Sequence, residues 1–436
     1  MRRAVLLVTM AGAMLLALGG VVLAQQQGGG APPKTPTGKI PDTYIVVFED
    51  DAAEDPQAVA NEHAQANGLQ LRYVYRHAIE GYAAVFPNER ARQRVENDRR
   101  VAYVEQDGVV QALDHNTSTT PSSTNQVIDW GIKKVEADKS STLSGNHSGA
   151  IGNVWVHVID TGIDTAHPDL KVGRHVNPSG AGGGNKDCNG HGTHVAGTAT
   201  ALDNAGYVVG VAPGPTSGSR LTGVKVLNCY GSGTWSGIIK GIDWVTADAR
   251  GADGTLGTPD DRRPAVANMS LGGGVSTSVD TAVKNSASMD PAKGGGVFYA
   301  LAAGNDGKDA CNYSPARAGA GTNNGIMTVA ATDGSDKEPS WSNYGNCVDI
   351  WAPGVSILST KMGGGTTTKS GTSMASPHGA GGGTLYLSNN TAKTPSEVEG
   401  ALTSAAKTAD DPNTTTDEST KSKDGQTITR EYVGGY

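Results

Sequence analysis

What this chain lacks narrows it first. It has no excess of positive charge: 35 Lys and Arg stand against 43 Asp and Glu, a formal charge of −8. The concentrated basic face of a nucleic-acid binder is therefore not expected. After its first residues it has no apolar run long enough to cross a bilayer. Charged residues make up only 18% and hydrophobic ones 37%, which argues against global disorder and leaves material for a core. The tripeptide Asp160-Thr161-Gly162 occurs once. A two-carboxylate peptidase mechanism needs a pair sharing one proton, and the second half is missing.

The amino terminus is the one strongly apolar stretch. Met1-Arg2-Arg3 precedes Ala4 to Leu23, and Val22-Leu23-Ala24 offers a small-residue exit. Residues 1–24 read as a secretory signal, so the mature protein is expected outside the cell and off the membrane. Gly12, Gly19 and Gly20 argue against the rival reading, a spanning anchor. Residues 25–41, rich in Gly, Pro and Thr, read as a linker.

Residues 42–112 alternate as β-α-β-β-α-β: Tyr44 to Phe48, a helix from Pro56 to Asn67, Leu69 to Tyr75, Gly81 to Phe86, a helix after Asn88, and Val101 to Glu105. That is the plan of a small α+β, ferredoxin-like sandwich. His63 and His77 are expected at its surface or half-buried, not as ligands. Residues 113–126 turn to Asp, Asn, Ser, Thr and Pro, a domain boundary and candidate cutting site.

From 127 to 436 the pattern changes. Val154 to Ile159, Leu221 to Leu227, Ala265 to Ser270, Val297 to Ala302 and Ile326 to Ala331 read as buried strands. Trp235, Ile238, Ile239, Ile242 and Val245 recur at helical spacing. Alternating strands and helices predict an α/β fold, a parallel sheet covered on both faces, with its site beyond the carboxyl ends of the strands. Asp160 and Asn305 fall at such ends.

Three fragments carry chemistry. Asp160 supplies a carboxylate, His191 an imidazole between Gly190 and Gly192, and Ser373 a hydroxyl at an expected helix start. A serine hydroxyl becomes a nucleophile when an imidazole takes its proton and a buried carboxylate holds that imidazole. The three are expected to converge in one hydrogen-bonded relay. Two rival classes were weighed: a zinc hydrolase built on Cys188, His191 and His194, and a catalytically dead peptide binder. The export signal and the three other cysteines favour a disulfide at Cys188 over zinc, and intact motifs disfavour the dead binder.

The order Asp, His, Ser and the segments Asp160-Thr161-Gly162, Gly190 to Thr198 and Gly371 to His378 resemble the subtilisin-like serine proteases, most closely the proteinase K and aqualysin branch. Gly223 to Leu227, Asn268 to Gly273, Asn312 to Ala316 and Ser342 to Gly345 extend the likeness, and residues 42–112 are similar to that family's inhibitory propeptide. The resemblance implies Asp160 as acid, His191 as general base, Ser373 as nucleophile and Asn305 as oxyanion donor. It implies polypeptide substrates bound as an added strand between Gly231-Ser232-Gly233 and Ser270-Leu271-Gly272. A pocket lined by Ala302-Ala303-Gly304 would favour apolar or aromatic residues before the cut bond. It favours the pairings Cys188–Cys229 and Cys311–Cys347 among the three that four cysteines allow. It also implies structural calcium on Asp349 with the carbonyls of Asn324 and Ile326, a monomer, and a propeptide that inhibits its own enzyme, aids its folding and is cut within 111–126. One departure stands out: Gly379-Ala380-Gly381-Gly382-Gly383 replaces the larger apolar residues usual after His378, predicting a weakened or unusually close-packed helix.

Overall fold

A computed structural model describes residues 35–50, 55–118, 125–408 and 421–436. The export signal expected at 1–24 and part of the 25–41 and 113–126 segments lie outside the described residues.

The amino-terminal unit follows its sequence pattern. β1 (Lys39–Phe48) leads to α1 (Pro56–Asn67), which Asp55 caps through the Gln57 N–H and Gly68 ends in a left-handed turn. β2 (Gln70–Tyr75) and β3 (Gly81–Val85) follow, then α2 (Glu89–Glu96), capped by Asn88, and β4 (Val101–Ala112). The strands pair antiparallel in the order β4-β1-β3-β2. One face buries Val46, Tyr82 and Ala84 against Val59, Ala60, Ala91 and Val95 of the two helices. The other face sends Ile45, Val47, Tyr75 and Ala83 into the core of the large domain. His63 is fully buried, contrary to expectation, with Nδ1 at 3.0 Å from the Tyr82 hydroxyl and Nε2 at 3.2 Å from Asp98. Those two partners satisfy a ring that would otherwise stay at the surface. β4 outruns the expected strand because its second half, from Val109 to Ala112, pairs with strands of the large domain.

After β5 (His115–Ser118) and the short α3 (Trp130–Lys134) the large domain begins its alternation. It runs β6 (Trp155–Asp160), β7 (Val172–Val176), α4 (His191–Thr200), β8 (Leu221–Lys225), β9 (Ser232–Thr234) and α5 (Trp235–Ala249). β10 (Ala265–Met269), β11 (Leu271–Gly274), α6 (Thr277–Ala287), β12 (Val297–Ala302), β13 (Tyr313–Ser314) and β14 (Ile326–Thr332) come next. The chain continues through β15 (Ile350–Pro353), β16 (Ile357–Thr360), β17 (Thr366–Ser370), α7 (Thr372–Asn389) and α8 (Pro395–Ala405). The short β18 (Lys407–Thr408) and β19 (Thr429–Arg430) finish it. Among the described residues the main sheet has nine strands in the order β18-β19-β15-β14-β12-β10-β6-β8-β7. All neighbours from β7 to β19 run parallel.

The strand order reverses between β6 and β10, the switch point where such sheets open a crevice. Alternation along β12 explains the two covered faces. Val297, Tyr299 and Leu301 enter the core under α5 and α6, and Phe298 and Ala300 enter the core under α7. The glycine cluster shows close packing. A Cβ at Gly379, Gly381, Gly382 or Gly383 would stand 2.5, 2.5, 2.3 or 2.6 Å from Met327, Val211, Glu431 or Phe298 respectively. Helix α7 continues unbroken through it.

Candidate active site

Asp160 ends β6, and its carbonyl takes the N–H groups of Val226 and Leu227 at 2.8 and 3.2 Å. Its buried carboxylate presents both oxygens to His191 Nδ1, at 2.8 and 2.9 Å. His191 opens α4, and Gly192 permits the approach: a Cβ there would lie 2.1 Å from the Gly162 carbonyl. Asp187 ties the two turns together, accepting from Thr161 Oγ1 at 3.0 Å and from the Asn189 and Gly190 N–H groups at 2.9 Å. Burial opposes charge on His191, but the carboxylates of Asp160 and Asp114 outweigh it, and the imidazole pKa is raised above its ordinary value.

Ser373 is held differently. It lies in the first turn of α7, behind Thr372. Its hydroxyl donates to the Ser270 carbonyl at 2.9 Å and accepts the Leu113 N–H at 3.1 Å. His191 Nε2 is buried without a hydrogen-bond partner, and the Asp114 carboxylate is 3.8 Å away. The carboxylate–imidazole link is thus closed, and the imidazole–hydroxyl link expected of a continuous relay is open. The cause is competition: Leu113 and Ser270 already occupy the Ser373 hydroxyl. Ser270, named from sequence as a substrate contact, also donates its own hydroxyl to the Ser373 carbonyl at 2.8 Å. Pro377 has no N–H to return to that carbonyl, so Ser270 supplies the missing donor.

The peptide leaving β4 passes straight through this group. Ala112 pairs with Leu271, Gln111 with Gly272, and on the other side Val110 with Gly233 and Gln111 with Ser232. The Gly231 carbonyl accepts the Ala112 N–H at 2.9 Å. The next residue, Leu113, is buried, and its carbonyl accepts from Asn305 Nδ2 at 2.7 Å. Thr372 orients that amide, donating its N–H at 3.0 Å and its hydroxyl at 2.9 Å to Asn305 Oδ1. Gly371 must lack a side chain, because a Cβ would sit 2.3 Å from the Leu113 carbonyl oxygen. The Leu113 side chain enters beside Gly272. Ala302, Ala303 and Gly304 are buried at and just after the end of β12, with the Gly304 N–H donating to Thr372 Oγ1 at 3.1 Å. Beyond Leu113, Asp114 pairs with Lys369, and β5 adds to β17. Burial opposes ionisation of Asp114, yet Lys369 and His191 prevail and hold its pKa at about 2.

Two metal donor sets remain, the disfavoured zinc set and the expected calcium set. His194 turns to the carbonyls of Ile357 and Thr367, both at 3.1 Å, and burial lowers its pKa to about 3. Cys188 is bonded to Cys229, and Cys311 to Cys347, so the zinc set is not assembled. Asp349 is half-buried just ahead of β15, accepting the Thr328 N–H at 2.7 Å, and desolvation raises its pKa to about 8. Its carboxyl is an oxygen donor of the kind a hard cation takes, and of the two expected partners Asn324 precedes β14 and Ile326 opens it. Sequence reasoning missed Thr372, Lys369, Asp187 and Asp306. Thr372 and Asp187 adjoin named motifs and were within reach. Lys369 and Asp306 have meaning only through the segments that dock on them.

An imidazole–carboxylate pair, a serine at a helix start and an amide facing a strand-bound carbonyl define the layout of a serine endopeptidase on an α/β sheet. Comparison with known proteins agrees. Residues 152–432 match the subtilase family, and residues 43–113 match the peptidase inhibitor I9 family. The chain is 40% identical over 387 residues to alkaline serine exoprotease A of Vibrio alginolyticus, spanning 85% of this chain and 65% of that one. It is 39% identical over 388 residues to an extracellular serine proteinase of a Thermus species, strain Rt41A, covering 83% of this chain and 84% of that one. The crystal structure of a cold-adapted subtilisin-like serine proteinase superposes with a TM-score of 0.54 at 37% identity, over 71% of this chain and 98% of that one. The chain belongs to the subtilase family, with an I9 inhibitor domain in front of its peptidase domain.

Proposed function

We propose that this subtilisin-like serine endopeptidase is secreted as a precursor, cuts its own Leu113–Asp114 bond, and then hydrolyses polypeptides through an acyl-enzyme on Ser373. The observation that carries the reading is the Leu113 carbonyl, 2.7 Å from Asn305 Nδ2 on a strand that also touches Ser373 Oγ. In the reaction the Ser373 hydroxyl swings off the Ser270 carbonyl and attacks the Leu113 carbonyl carbon. His191 Nε2, which has no other partner, takes the proton, and Asp160 stabilises the imidazolium. Asn305 and the N–H of Ser373 at the start of α7 hold the developing oxyanion. His191 returns the proton to the Asp114 nitrogen as the C–N bond breaks, and water hydrolyses the Leu113–Ser373 ester.

The cleft takes substrates as an added strand, with apolar or aromatic residues preferred before the cut bond, as Leu113 is here. Best cleavage after Lys or Arg would overturn that preference. Calcium at Asp349, with the carbonyls of Asn324 and Ile326, would supply the positive charge this half-buried carboxyl lacks. Chelator is expected to lower the melting temperature, and an unchanged melting temperature would remove the site. Export is supported by the apolar leader and the extracellular relative, and the protein is read as a monomer.

The central test is mass measurement on the full chain. Wild type is expected to split between Leu113 and Asp114, and Ser373→Ala to keep that bond. Equal cleavage in both proteins would end the reading, as would failure of the wild type to react with an active-site phosphonate.

A further inference from the structure

The segment ahead of β1 is more than a connector. The Thr35 N–H lies 3.2 Å from both carboxylate oxygens of Asp306, the Pro36 carbonyl accepts the Gly274 N–H at 2.8 Å, and the Gly38 carbonyl accepts the Val109 N–H at 2.9 Å. Thr35 is only 7% exposed. From the point where Gly272 would carry a Cβ, Leu113 Cδ1 is 3.0 Å away and Thr35 Cγ2 3.5 Å. From the equivalent point of Gly304, Thr35 Oγ1 is 3.5 Å away, and from that of Gly274, Thr37 Cα is 3.2 Å away. The arm therefore meets the Leu113 side chain at Gly272 and continues over Gly274 and Gly304.

We propose that Asp306 and the backbone of Gly272, Gly274 and Gly304 form a second peptide-binding site that shares the Gly272 wall of the substrate cleft, and that its occupant is the arm 35–38. The class of ligand follows from the contacts: an uncharged extended segment with a small β-branched residue, recognised by one backbone donor to Asp306 and one backbone acceptor for the Gly274 N–H. Occupied, it closes the pocket over Leu113 and makes the I9 domain a two-point inhibitor. After the Leu113–Asp114 bond is cut, both the β4 strand and the arm must leave before a substrate can enter. This inference rests on the peptidase reading above.

The test uses the full-length precursor with Thr35, Pro36 and Thr37 all replaced by glycine, and separately Thr35→Pro, which deletes the single N–H facing Asp306. Appearance of the cut chain is followed by mass, and hydrolysis of a small fluorogenic peptide is followed in parallel. Both variants are expected to cut at the wild-type rate, and the lag between cutting and peptide hydrolysis to shorten: about five- to tenfold in the triple variant, which keeps the backbone bonds but loses the Thr35 and Thr37 side-chain contacts and must order a freer chain, and about threefold in Thr35→Pro, which loses one hydrogen bond. Normal cutting with an unchanged lag in both variants would overturn the second site and leave the peptidase reading standing. Absence of cutting in the wild type as well would overturn both.

Discussion

The two halves of the catalytic centre are built to different standards of completion. The acid–base half is closed: Asp160 and His191 are buried, paired through two short contacts and stitched by Asp187. The nucleophile half is poised: Ser373 rests on Ser270 and Leu113, and His191 Nε2 waits without a partner. The closed half rests on interactions wholly within the peptidase domain, whereas the poised half is held partly by the inhibitor strand. The open link therefore has two sources, the Ser270 carbonyl of the peptidase domain that takes the Ser373 proton and the Leu113 N–H of the inhibitor strand that holds its oxygen.

Three substitutions bear on that contrast, from the largest effect to the smallest. Asp160→Asn breaks the closed half, leaving His191 in the wrong tautomer, and should slow cutting at Leu113–Asp114 by about 10⁴-fold. A loss below tenfold would mean that the pair does not position the base. Asn305→Ala removes a donor from the poised half and should cost about 10²–10³ in the same rate, read by mass against time. If its loss matched that of Asp160→Asn, the distinction between the halves would fail. Asp114→Asn tests the coupling between them. Carboxylates favour the imidazolium, so cutting should rise with pH as His191 loses its proton above the ordinary imidazole range. Removing the Asp114 charge should move the midpoint of that pH profile to lower pH, and a move to higher pH would show that Asp114 does not face the base.

The five adjacent strands β6, β8, β10, β12 and β14 were legible because they are largely apolar runs, and α5 because Trp235, Ile238, Ile239, Ile242 and Val245 repeat with the helical period, whereas β7, β15, β18 and β19 are short or polar and escape such a reading. The positions of Asp160, His191, Ser373 and Asn305 at strand and helix ends could be read from motifs with mechanical reasons. What could not be read was everything that depends on a second segment arriving. The second half of β4 opens on Asp107-Gly108, which reads as a turn, and its strand partners β9 and β11 belong to the other domain. Glu105 and Asp107 look like surface charges, yet Glu105 accepts the Ser278 N–H at 2.8 Å and Asp107 the Ser236 N–H at 3.0 Å, near the starts of α6 and α5, where a carboxylate complements the exposed N–H groups. The arm at 35–38 read as linker for the same reason: its worth lies in Asp306 and three glycines far along the chain.

The bare stretch of α7 has a consequence for how this chain can change over time. Phe298 can be as large as it is only while residue 383 carries no side chain, and the same holds for Val211 against 381, whereas Met327 and Glu431 meet 379 and 382 with the ends of flexible side chains that can turn aside. The pairs 298/383 and 211/381 form locks in which neither member can drift alone. A lineage that gains alanine at 383 must already have shrunk residue 298, so these pairs should be inherited together across descendants while the exposed faces around them diverge.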